Sequence, residues 1–307
     1  MKLRSVVRAI FLTLAAVLVT VGVLVGIGWL YFNPSFTWTR GIVYGDRNGT
    51  PLTLDVVRPS SPNGVGVVLM VSGGWKSGTN SFKTWMVAPL LRRGYTVFPI
   101  YHVSQPTSTI MEIYDDVSKG IRLVRHRAVE FGIDPNRLGV TGGSAGGHLS
   151  LMVATRGGPG PADSKDPVDR ESSAVQAVAI FYPVTDLLNL GESTENLHDG
   201  GPPKSFAKGF GPQATNHAVW QIIGRDLSPI YHLSSNTPPT LIYHGDADTL
   251  VPLDQSQRYQ AKARELGRTV ELVVHPGGKH GWLTMLWDIR AFVDWFDRYL
   301  PVPTQGK

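Results

Sequence analysis

The run Gly142-Gly143-Ser144-Ala145-Gly146-Gly147-His148 constrains the fold more than any other stretch of the chain. Before it, Arg137-Leu138-Gly139-Val140-Thr141 reads as a short buried strand; after it, Ala145 to Ala154 is apolar enough for a helix. Gly-x-Ser-x-Gly between a strand and a helix takes the chain through a turn so sharp that the serine adopts strained backbone angles. The residues two before and two after it must then be small, and they are Gly142 and Gly146. Such a turn lifts the Ser144 hydroxyl clear of the sheet and aims the Ala145 backbone N–H at an incoming carbonyl oxygen. The alternative, a glycine-rich turn with an idle serine, is decided by the surrounding pattern.

That pattern alternates. Gly41 to Tyr44 and Leu52 to Val57 read as two strands around the turn Asp46-Arg47-Asn48-Gly49. Gly66 to Val71 is a continuous apolar run of the kind found in a parallel sheet. An amphipathic stretch from Phe82 to Leu91, a strand from Tyr95 to Ile100 and one long helix from Ile110 to Phe131 lead to the elbow. Beyond a polar loop over 157–173, Val175 to Phe181 is another strand. The alternation stops over 187–236, read as an insertion and candidate cap. It resumes with the strand Thr240 to Tyr243, the helix Leu253 to Leu266, the strand Val270 to Val274 and the helix Thr284 to Leu300. A doubly wound α/β domain with a mostly parallel sheet is expected over 41–307.

Ahead of that domain, Ala9 to Phe32 is free of charge and rich in Leu, Val and Ala, long enough to cross a bilayer. The expected organisation is a basic N-terminus over 1–8, a transmembrane anchor over 9–32 and a tether over 33–40. Trp29, Tyr31, Phe32, Phe36 and Trp38 would settle at the interface. The run exceeds the usual h-region, which favours an anchor over a cleaved signal and secretion. Lys2, Arg4 and Arg8 precede the span, so the N-terminus is expected in the cytoplasm and the domain on the exoplasmic or periplasmic side. Lys2, Arg4, Arg8 and Arg40 also account for most of the net charge of +5. The domain itself is nearly neutral, which removes electrostatic support for nucleic-acid binding. The chain has no cysteine, which excludes disulfides, thiol nucleophiles and thiolate metal sites.

A serine hydroxyl needs a base within hydrogen-bond reach, and the base needs a carboxylate to fix its tautomer. After an elbow of this kind the order along the chain is Ser, then acid, then His. His280 is the candidate base, in the turn Pro276-Gly277-Gly278-Lys279-His280-Gly281, whose glycines would let the imidazole swing over the sheet edge; His275 is the runner-up, and His148 is expected to pack beside the elbow helix. Asp248 is the candidate acid, in His244-Gly245-Asp246-Ala247-Asp248; Asp246 is expected to hold the turn, and Asp186 is a third possibility. The loop Ser72-Gly73-Gly74-Trp75 follows the first parallel strand, where a second set of oxyanion donors belongs. This chemistry requires no metal and no organic cofactor.

From about Val43 to Leu300 the chain resembles the α/β-hydrolase esterases of the hormone-sensitive-lipase and bacterial feruloyl-esterase-like group. The resemblance rests on the Gly-Gly-Trp loop, the Gly-x-Ser-Ala-Gly-Gly elbow, the His-Gly-x-x-Asp-x-x-Val-Pro segment and the late His-Gly, in that order. It implies an α/β-hydrolase fold, a triad of Ser144, Asp248 and His280, and amide donors at Gly73, Gly74 and Ala145. The function it implies is cleavage of small-molecule carboxylic esters through an acyl-enzyme. A peptidase on the same core and a non-catalytic binding protein are the alternatives. Two positions depart from the family pattern: Val71-Ser72 stand for its His-Gly, and Tyr101-His102-Val103 for its Tyr-Arg-Leu.

Overall fold

The computed structural model describes residues Lys2 to Pro301; residues 302–307 of the expected domain and Met1 of the basic terminus lie outside the described residues. Helix α1 (Lys2–Phe32) leads into a hairpin of β1 (Phe36–Arg47) and β2 (Thr50–Pro59). Next come β3 (Gly66–Met70), α2 (Ala88–Arg93), β4 (Thr96–Ile100), α3 (Ile110–His126) and α4 (Ala128–Phe131). The elbow joins β5 (Leu138–Gly143) to α5 (Ala145–Arg156), followed by α6 (Pro167–Arg170), β6 (Ala177–Phe181) and α7 (His217–Asp226). The chain closes with β7 (Thr240–Gly245), α8 (Asp254–Glu265), β8 (Val270–His275) and α9 (Met285–Tyr299).

The eight strands form one sheet in the order β1-β2-β4-β3-β5-β6-β7-β8. Strand β2 pairs antiparallel with β1 and β4, and every pair from β4 to β8 is parallel. This is the mostly parallel sheet of an α/β-hydrolase. Its central strands are covered on both faces, which is why β3 and β6 read as unbroken apolar runs. One apolar layer holds Val68, Val140, Ile180 and Ile242 against α3, α5 and α8; the other holds Val67, Ala179 and Leu241 against α2 and α9. Because the strands run parallel, their C-terminal ends share one edge, and the loops carrying Ser72, Ser144, Asp248 and His280 all leave from it.

The boundaries differ from the sequence pattern in four places. Strand β1 begins at Phe36, so 36–40 belong to the sheet and the link after α1 is shorter than the expected tether. Asn48 and Gly49 both have positive φ, giving the tight turn that lets the paired strands extend. The stretch from Phe82 becomes helical only as a 3-10 turn at Thr84–Val87, and α2 starts at Ala88 with Pro89 in its first turn. The long helix breaks at Arg127, where α3 gives way to α4.

Helix α1 contains a span, Val6–Phe32, of mean hydropathy 2.7, long and apolar enough to cross a membrane and unburied by the rest of the chain. Capping fixes the start of α3: Thr109 accepts from the Glu112 amide while Glu112 accepts from the Thr109 amide. In β5, a Cβ added at Gly139 would lie 2.6 Å from Phe296 on α9. Gly139→Ala is therefore expected to cost about 1–3 kcal/mol of stability, read as a lower urea midpoint at unchanged slope.

Candidate active site

Ser144 sits between β5 and α5 at φ 55° and ψ −120°, a conformation that side chains rarely adopt. Neighbouring backbone holds it there. A Cβ at Gly142 would meet the Gly146 carbonyl carbon at 2.6 Å, and one at Gly146 would meet the Met70 carbonyl oxygen at 2.6 Å. The small residues expected at these positions are thus a steric requirement. The Ser144 amide donates to the Phe181 carbonyl at 3.0 Å and the Gly146 amide to the Ser72 carbonyl at 3.1 Å, tying the elbow to the strands on either side.

The structure brings Ser144, His280 and Asp248 together. The Ser144 hydroxyl lies 2.9 Å from His280 Nε2, and His280 Nδ1 lies 2.7 Å from Asp248 Oδ2. With Nδ1–H donating to the carboxylate, Nε2 is left to accept the serine proton. Asp248 Oδ1 accepts from the amides of Leu250 and Val251, each at 3.0 Å. Burial pushes the Asp248 carboxyl up, but hydrogen bonds from His244, His280 and the Val251 amide outweigh it and hold the group ionised well below the usual range.

The His280 turn does not swing freely. Gly278 packs on Gly245, the Ala247 amide donates to the Gly278 carbonyl at 2.9 Å, and the Gly277 amide donates to Asp246 Oδ1 at 2.7 Å. Glycine serves close backbone approach here, and Asp246 holds the turn. His275 lies outside the site, stacked on Trp282. Asp186 is paired with Arg258 at 2.5 Å. His148 lies within the first turn of α5 rather than beside that helix, fully buried, accepting from Trp75 Nε1 at 3.1 Å and donating to the Leu227 carbonyl at 2.7 Å.

Gly73 departs from its expected role. Its amide donates to the Lys76 carbonyl at 2.9 Å, because the two residues close a reciprocal turn. The amides of Gly74 and Ala145 have no acceptor among the described residues, and both residues line the cavity beside Ser144. Two donors therefore remain for an oxyanion. The two departures from the family pattern meet each other: the Ser72 hydroxyl donates to His102 Nε2 at 3.0 Å, and His102 Nδ1 donates to the Val103 carbonyl at 2.9 Å. Where the family pattern has an arginine, this chain steadies the loop with a neutral imidazole.

The sequence pattern does not single out three further contributors. His244 is fully buried, bonded to the Val251 carbonyl and the Ser256 hydroxyl, with Nε2 3.5 Å from Asp248. Tyr182, at φ 32°, places its ring 4.4 Å from that of His280. Burial, and then the Asp248 charge, push its hydroxyl up to about 12, so it stays neutral. From the insertion, Phe206 packs edge-on against Trp75 at 5.4 Å and lines the cavity. The His244-Gly245 dipeptide was a signal for the first; an aromatic after β6 and a phenylalanine in an irregular segment carry none.

A cavity of about 550 Å³ opens beside Ser144. Apart from His280 and Glu195 it is walled by uncharged groups, chiefly Leu90, Phe181, Met285, Ile289 and Phe292. Among the described residues no cluster of His, Asp and Glu could hold a metal ion.

Burial, partly offset by a backbone carbonyl bond, pushes both His102 and His148 down from 6.5 to about 4. Over that window the unfolded chain binds protons that the folded chain excludes. The stability these groups contribute is complete above pH 6.5 and is lost as the pH falls toward about 4. Urea unfolding is expected to show lower stability at about pH 4.5 than at about pH 7. His102→Gln should shrink that difference.

The chain is similar to several known proteins. The esterase LipQ of Mycobacterium tuberculosis is 31% identical over 225 residues, covering 70% of this chain and 49% of LipQ. A probable isoprenylcysteine alpha-carbonyl methylesterase of Arabidopsis thaliana is 24% identical over 87% of this chain and 56% of its own. The chain spans about half the length of these curated relatives. Among solved structures, the acetyl ester-xyloside bifunctional hydrolase of Caldicellulosiruptor lactoaceticus matches with a TM-score of 0.65 and 27% identity, over 86% of this chain and 94% of that one. The family model BD-FAE matches residues 54–263, from β2 to the end of α8 and across the elbow and the Asp248 segment, and the chain belongs to that family.

Proposed function

We propose that the chain is a serine hydrolase of carboxylic esters, held at a membrane by α1. The observation that carries this reading is the unbroken line from Asp248 through His280 to the Ser144 hydroxyl, with Gly74 and Ala145 lining the cavity beside it. The relatives' names support it: each is an esterase or ester hydrolase, although the esters named differ. Placement of the domain on the exoplasmic or periplasmic side rests on Lys2, Arg4 and Arg8 ahead of the span.

In the reaction so derived, Ser144 Oγ attacks the ester carbonyl carbon while its proton passes to His280 Nε2. The carbonyl oxygen becomes an oxyanion that accepts from Gly74 and Ala145. Collapse breaks the acyl C–O bond, and His280 returns the proton to the departing alcohol. Water, deprotonated by His280, then cleaves the acyl-serine and releases the acid. Asp248 stays ionised throughout and stabilises the imidazolium.

Hydrolysis of p-nitrophenyl butyrate by the full chain tests the reading. Ser144→Ala should lower kcat by about 10⁴ or more, and Asp248→Asn by about 10⁴, with both variants folded. A fluorophosphonate should label the wild-type chain at Ser144 and leave the alanine variant unlabelled. Equal turnover by wild type and Ser144→Ala would sink the proposal.

A further inference from the structure

The helices that wall the cavity also hold the membrane-spanning helix. Leu90 on α2 and Met285, Leu286, Ile289 and Phe292 on α9 line the cavity. Other residues of the same two helices receive the end of α1. Trp287 meets the rings of Phe32 and Tyr31 at 5.6 and 5.9 Å. Arg92 Nη1 donates to the Leu30 carbonyl at 3.3 Å, and its guanidinium lies 5.1 Å from the Tyr31 ring centre. The Leu30 carbonyl belongs to the last turn of α1, where carbonyls lack helical partners and a cation is favoured. The end of the span and the acyl-sized space beside Ser144 are therefore separated by about one helix, on the order of 10 Å.

Apolar residues beside the cavity walls are left in the open. Leu283 is 98% exposed, Trp287 49% and Trp85 43%. Leu283 and Trp287 flank the lining residues Met285 and Leu286, and Trp85 adjoins the lining residue Met86. Large apolar side chains so placed beside an apolar cavity mark a surface that meets something other than water. The aromatic and arginine cluster at the end of α1 has the composition that settles at headgroup depth, the depth at which a lipid presents its ester bonds.

We infer that the substrates are membrane lipids with long apolar acyl chains, withdrawn from the leaflet reached by the end of α1 into the cavity walled by α2 and α9. This rests on the ester-hydrolase reading above and adds the substrate class and its route. The acyl chain fills the Leu90, Ile289 and Phe292 side of the cavity, the carbonyl lies at Ser144, and the alcohol part remains at the interface. Each methylene buried raises specificity by about fourfold until the cavity is full. Contacts of Arg92 and Trp287 with α1 hold the cavity at the depth of the ester.

The test uses the full chain in phosphatidylcholine vesicles, with p-nitrophenyl laurate dissolved in the bilayer and p-nitrophenyl acetate in the water. The wild-type chain should cleave laurate with the higher kcat/KM. The double variant Arg92→Ala, Trp287→Ala should lose at least about tenfold of the laurate rate and keep the acetate rate within about twofold. A wild-type chain that prefers acetate overturns the proposal without any variant, and so does a double variant that keeps its laurate rate. A wild-type chain that cleaves neither ester refutes the ester-hydrolase reading instead.

Discussion

Everything at this site depends on how closely two pieces of backbone approach at the elbow. The first turn of α5 presses on the end of β5 and on the Met70 carbonyl so tightly that no Cβ fits at Gly142 or Gly146. That contact holds Ser144 at its unfavourable φ, exposes its hydroxyl and leaves the Ala145 amide without an acceptor among the described residues. A strained residue persists only where its surroundings over-determine it. Here the surroundings are strand hydrogen bonds and carbonyl walls, parts that do not rearrange.

Polar contacts around the elbow follow one design: each group near the reacting atoms is fixed by a partner that is itself fixed. Asp248 is oriented by two amides, with His244 Nε2 3.5 Å away, and His244 is held by Ser256 and Val251. Trp75 is held by His148, which is held by Leu227 at the end of α7, within the inserted segment. Ser72 is held by His102. His102 and His148 are kept neutral by burial, so they add direction without adding charge that would compete with His280. Ser72 and His102, the two departures from the family pattern, are bonded to each other in this chain.

Much of this was legible in the sequence. The continuous apolar run located β3, the short buried segments before the elbow and before the insertion located β5 and β6, and the order of the serine, aspartate and histidine segments named the residues that meet. What was illegible depended on contacts distant in sequence. Nothing near Gly73 shows that its amide turns back to Lys76, since a pair of adjacent glycines permits many turns. The start of α2 depended on Pro89, which suits a first turn and resists an interior. Residues Phe36 to Arg40 look like a tether because they alternate with polar residues, yet they pair with β2 as an edge strand. Tyr182 and Phe206 acquire their roles only when β6 and the insertion are brought beside His280 and Trp75.

That edge strand has a consequence of its own. A long strand at the border of a sheet offers unpaired N–H and C=O groups to any copy of itself. Proteins kept on a surface meet their copies far more often than proteins free in three dimensions, so under the proposed anchoring by α1 an open border would invite crowding into strand-paired assemblies. Strand β1 breaks its register with β2 twice, between Thr39 and Ile42 and between Val43 and Gly45, and carries Arg40 and Arg47 along its length. Irregularity and charge of this kind spoil the template. If the chain is anchored as proposed, its bulges bear on how densely it could be packed in a membrane without sticking to itself.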